Sequence, residues 1–194
     1  MAGINRSSPI ELFTNDNLSE VILKGGFSYF AGMSVVSNSR KNAANDFQFE
    51  CTLEASKFTY SENYHGLGSQ YSTHVVSEIV KLGLAFYPVK IRAGEHFHVW
   101  PGFSVNTLLY SYAHSSTSNQ DILSGVVNVT ETNGRNKELS KVVPALLLQN
   151  CKSFSIKKQI QGELFYRLDV PFATEISRER IYVIFNNLGI KFRL

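Results

Sequence analysis

Charge is scarce in this sequence. Asp, Glu, Lys and Arg make up 18% of the 194 residues while 43% are hydrophobic, against roughly 25% charged in an average globular domain. A surface so short of ions leans on Ser, Thr and Asn. These neutral groups are cheaper to desolvate than charges, so the composition suits a chain packed against copies of itself. Cysteine is sparser still. Cys51 and Cys151 are the only two, and thiols so far apart make neither a disulfide framework nor a Cys-x-x-Cys pair; the expectation is a reducing compartment with two core thiols. No run of 18 apolar residues occurs and the opening MAGINRSSPIELF lacks a signal-peptide core. Both absences predict an intracellular protein with no transmembrane segment.

Catalytic signatures are missing as well. Gly102-Phe-Ser104-Val-Asn106 fails the last position of a nucleophile elbow, and Gly66-Leu67-Gly68 has neither the Lys-Ser/Thr of a P-loop nor a third dinucleotide glycine. Neither an enzyme nor a cofactor is expected. His96-Phe97-His98 is the one pair with ligand spacing, since alternate residues of a strand share a face. Yet no carboxylate follows Val99-Trp100-Pro101-Gly102, and Glu95 turns to the opposite side. A cupin-like metal enzyme on His96 and His98 stays an alternative, and no metal site is assigned.

What is present is a β pattern. Phe47, Phe49, Cys51, Leu53 and Ala55 alternate with Gln48, Glu50, Thr52, Glu54 and Ser56, the period of a strand with one face in a core and one in water. Similar short segments recur between Gly/Asn/Ser clusters, among them 27–36, 86–91, 104–112, 145–149, 163–170 and 180–185, as antiparallel folds require. One stretch reads as a helix, 71–82 within residues 70–83. Its polar residues His74, Ser77, Glu78 and Lys81 fall at i, i+3, i+4 and i+7, with Ser69 or Ser72 as cap and Gly83 closing the last turn. The run His114–Gln120 reads as an exposed loop tip. The fold expected is a single domain over 1–194, an all-β or mainly β antiparallel sandwich, jelly-roll-like, with that one inserted helix and an N-terminal arm over 1–12.

Net charge is +3, with the surplus in the second half. Lys152, Lys157, Lys158, Arg167, Arg178, Arg180, Lys191 and Arg193 are the cations that would meet nucleic acid or anionic lipid. Trp100, beside Pro101-Gly102, is the candidate interface anchor.

Glu95-His96-Phe97, then Pro101 and Phe103, then the apolar stretch Val105 to Tyr112, is similar to part of the matrix proteins of animal rhabdoviruses. The Ser/Thr/Asn-rich surface and many strands resemble single jelly-roll viral coats. A strongly basic arm and a Pro-Pro-x-Tyr motif, common in such proteins, are both absent. The resemblance implies a non-enzymatic viral structural protein that self-assembles, located in the virion and host cytoplasm, with itself, viral RNA or nucleoprotein, and an anionic membrane surface as partners. A monomeric viral movement or host-interaction module is the alternative.

Overall fold

The computed structural model describes residues 1–11, 19–24, 26–37, 46–66, 69–135, 139–157, 160–172 and 181–193. Every regular element among them is a strand: β1 (Ala2–Glu11), β2 (Ser19–Lys24), β3 (Phe27–Ser37), β4 (Phe47–His65), β5 (Ser69–Tyr87), β6 (Ile91–Arg92), β7 (Phe97–Asp121), β8 (Val127–Gly134), β9 (Val142–Lys157), β10 (Ile160–Pro171) and β11 (Ile181–Arg193).

Pairing follows the chain. β2 lies against Thr59–Tyr64 of β4 and β3 against Phe47–Ser56 of the same strand, so the two act as one stave. β8 and β9 share β7 in the same way. The staves β1, β2/β3, β4, β5, β7, β8/β9, β10 and β11 are each antiparallel to the next, and β1 pairs with β11 from Ala2↔Ile190 to Glu11↔Ile181. The result is a closed, eight-staved, up-and-down barrel, with β6 a short addition beside the start of β7. Closure removes the unpaired edges that an open sheet would present.

Four expectations are corrected. The jelly-roll sandwich is replaced by next-neighbour pairing round a closed wall. The helix at 71–82 is the middle of β5, hydrogen-bonded to β4 and β7 on its two sides. Val75, Val76, Ile79 and Val80 are β-branched and favour a pleated strand over a helix. Gly83 closes no helix either; it faces inward, where a Cβ would stand 2.6 Å from Thr52 Oγ1. His114–Gln120 is not a tip but part of β7, paired on both sides. Residues 2–11 of the segment expected as an arm form β1.

Two local features fix register. The β5–β7 pairing slips between Val80↔Tyr110 and Lys81↔Leu108, leaving Leu109 as the extra residue of a bulge; the inward positions of β7 change from even to odd numbers across it. The β7–β8 turn closes with Gly125 at φ 69°, its N–H donating to Asp121 O at 2.8 Å. Asp121 Oδ1 accepts from the Leu123 and Ser124 amides at 2.9 and 3.3 Å, which holds its carboxyl below the usual carboxylate range.

Candidate membrane-facing surface

Which way the strands turn their apolar face decides what this barrel can do. Among the described residues, seventeen buried side chains are polar or charged and twelve are hydrophobic, the reverse of the usual balance in a water-soluble core. The alternation at Phe47–Ala55 is real, but its apolar half points outward. Phe49 is 51% exposed and Leu53 51%, while Gln48 and Glu50 between them are 0% and 3% exposed.

The same inversion runs round the wall in register. Val35, Phe49, Phe86, Phe103, Leu146 and Val170 form one cross-strand row of outward side chains. Met33, Cys51, Leu84 and Val105 form the row above it. β10 and β11 continue the band with Leu164, Tyr166, Leu188 and Phe192, each 44–54% exposed. An apolar band continuous across neighbouring strands differs from the singly scattered apolar residues of an ordinary soluble surface.

The band has two borders. On β4 its outward positions run from Phe47 to Ala55, nine residues. At about 3.3 Å per residue and a tilt near 40° they rise roughly 23 Å, close to the ~25 Å apolar belt of membrane barrels. Past Ala55 the outside turns polar. Lys57 and Glu78 form an exposed ion pair at 3.1 Å, and Ser61 meets His74 Nδ1 at 2.8 Å. Tyr29 and Tyr110, in one row with Ala55 and Val80, stand at this border, 70% and 55% exposed. At the opposite border Lys152 is exposed with its Nζ 5.4 Å from the Phe97 ring centroid. Tyrosines at one margin and long cations at both are what a water–hydrocarbon boundary selects.

Inside, the charges meet one another. Glu50 accepts from Arg167 Nη1 at 3.3 Å and from Tyr87 Oη at 3.2 Å, and it is also bonded by Lys191 and Gln48. Arg167 Nε reaches Asp169 Oδ1 at 2.9 Å, and buried Lys81 stands opposite Glu54 on β4. Rings pack between these ions: Arg167 lies 5.9 Å from the Phe30 centroid, and Lys191 4.7 Å from that of Phe165. Phe165 needs the space that Gly189 leaves, where a Cβ would come within 2.6 Å of the ring. Small opposite large is how an eight-stranded interior is filled. A second inward cluster of Tyr60, Ile79 and Leu139 lies towards the polar border.

The residues singled out from sequence scatter across this frame. His96 sits exposed in the bend before β7 and His98 is buried inside, so the two imidazoles do not share a face. Trp100 is fully buried in the interior and anchors no interface. Arg167 and Lys191 are interior ion-pair partners, and Lys152 is outward and exposed. Lys157 and Arg193 lie on strands with side chains outside the described residues, as Lys158, Arg178 and Arg180 lie outside them entirely. Cys51, expected in a core, is exposed in the apolar band; Cys151 is buried. Sequence reasoning missed Glu50, Lys81 and Asp169. Glu163, Arg167 and Asp169 alternate with Leu164, Tyr166, Leu168 and Val170, a pattern that marks a strand without saying which face is interior.

No family model matches the chain, and no curated protein does. Solved structures that align with it include Ail, the attachment invasion locus protein of Yersinia pestis, alone and in complex with the heparin analogue sucrose octasulfate. Each is 11% identical, with 100% of this chain and 95% of the other covered, at TM-scores of 0.30 and 0.31. Those values carry no functional weight. The resemblance to viral coat and matrix proteins is corrected by the wall itself: Val105 to Tyr112 is part of a barrel stave, and the closed meander has no jelly-roll crossover. With that resemblance go the virion and host cytoplasm as location, and RNA or self-assembly as partners. The absence of a transmembrane segment was judged on helices. No helix among the described residues is long and apolar enough to cross a membrane, a criterion that does not address strands.

Proposed function

We propose that this chain is an integral membrane β-barrel of the outer-membrane type, crossing the bilayer with its eight staves and presenting the β4–β5 and β7–β8 hairpins in water beyond it. The single observation behind this reading is the inversion of the wall, with apolar rows outside and paired charges inside. In lipid every backbone polar group must be satisfied internally, and a closed barrel does so. In water the same exterior would aggregate.

The interior argues for an anchor rather than a channel. Glu50, Arg167, Lys191 and Tyr87 link β4, β10, β11 and β5 across the interior, which ties the wall together rather than lining a water-filled pore. Catalysis is not part of the reading either: the protein's work is to hold its hairpins at a membrane surface. Of the cations expected to meet lipid, Lys152 retains that role, at headgroup level beside Phe97.

Insertion is tested with the full chain refolded into lipid vesicles. Resistance to alkaline and urea extraction, with a heat-sensitive shift in electrophoretic mobility in SDS, is the expected outcome. A protein that stays in the aqueous fraction without lipid or detergent, folded and monodisperse, would overturn the proposal.

A further inference from the structure

His98, Cys151 and Glu163 are all buried, and one ligand atom from each lies within 4.8 Å of the others. We propose that these three inward side chains bind a divalent zinc-type cation inside the barrel, near the end where the chain termini lie. The site goes beyond the membrane reading and is argued from the inward side chains alone.

The topology brings the three together. His98 on β7 is the registered cross-strand partner of Cys151 on β9. Cys151 pairs with Phe165 on β10, and Ser153 pairs with Glu163, so Glu163 is the diagonal inward neighbour of Cys151. Three adjacent strands of a closed wall thus contribute an imidazole, a thiol and a carboxylate to one point. His98 Nε2 lies 3.5 Å from Glu163 Oε1, a span that two ligands of a tetrahedral zinc ion at about 2.0–2.2 Å each would subtend.

The donor set selects the metal class. One sulfur, one nitrogen and one oxygen suit zinc, whereas hard oxygen-seeking cations would not choose a thiolate. Supporting contacts are also in place. Gln149 Nε2 reaches Cys151 Sγ at 3.4 Å, a donor that stabilises a thiolate, and the Trp100 ring packs edge-on against His98 with centroids 6.0 Å apart. Lys191, registered opposite Glu163, is engaged by Glu50. Glu163 also lines a recess with Lys90, Ser153 and Gly162, so the carboxylate is the member of the three nearest the outer surface. Binding converts the Cys151 thiol to thiolate, and the released proton leaves to solvent.

The test uses the full chain folded in detergent micelles, stripped with a chelator and titrated with Co²⁺ as a spectroscopic stand-in, then with Zn²⁺ in competition. One equivalent of Co²⁺ giving a thiolate charge-transfer band, displaced by Zn²⁺, is expected. Cys151→Ser should abolish the band, His98→Gln and Glu163→Gln should weaken binding by about 100-fold or more, and His96→Gln should leave it unchanged. Each variant's heat-modifiable mobility reports whether the barrel has folded. Absence of the band in the folded parent, or equal binding in folded Cys151→Ser, would overturn the site while leaving the membrane proposal untouched.

Discussion

Among the described residues Glu50 sits at the centre of the interior charge network. It is enclosed by Arg167, Lys191, Tyr87 and Gln48, and losing its charge would leave two buried cations facing one carboxylate fewer. Breaking a buried ion network by removing one partner costs about 3–5 kcal/mol; Glu50→Gln should lower the free energy of unfolding by that amount in urea titrations in micelles. Lys57→Ala, by contrast, removes an exposed ion pair and should change stability by less than about 1 kcal/mol. On the outside the sign of substitution reverses relative to a soluble protein. Leu84→Arg should cost about 2–4 kcal/mol in a bilayer, since it places a charge in the mid-band row. Asp121 gives a pH signature. Its folded pKa lies below the unfolded one, so its turn-stabilising contribution is present above the ordinary carboxylate range and is lost as pH falls through the depressed value. Hydrogen exchange at the Leu123 and Ser124 amides, corrected for intrinsic rates, should show protection at neutral pH that Asp121→Ala removes.

At the scale of the element, strands were legible where one face is polar and the other apolar. The alternation from Phe47 to Ser56 is indeed a strand, and β4 runs further, to His65. The direction of the face was not legible, because period two is the same whether the apolar side meets a core or a lipid. β5 was misread for a different reason. Its outward Val76, Val80 and Leu82 belong to the wall, while its inward Val75 and Ile79 belong to the Tyr60–Leu139 cluster, so both faces are apolar and the strand period vanishes. Four polar residues then happened to fit a helical template. The cluster of His98, Cys151 and Glu163 was hidden because its members are distant in sequence and meet only through the register of β7, β9 and β10. Far-ultraviolet circular dichroism of the folded protein should accordingly show a β spectrum without the helical minimum that a helix at 71–82 would add.

For the whole molecule, closure is the organising fact. Pairing of β1 with β11 joins the two ends of a meander that would otherwise stay open, and only then can the outward band face hydrocarbon while the charges share one interior. Cys51 provides a native reporter at mid-band, in the row of Met33, Leu84 and Val105. A spin label placed there, in a Cys151→Ser background reconstituted in vesicles, tests the central claim directly. The account predicts relaxation by dissolved oxygen and protection from a water-soluble nickel chelate at Cys51, with the opposite at a label introduced by Ser61→Cys beyond the border. Equal nickel accessibility at the two positions would contradict it.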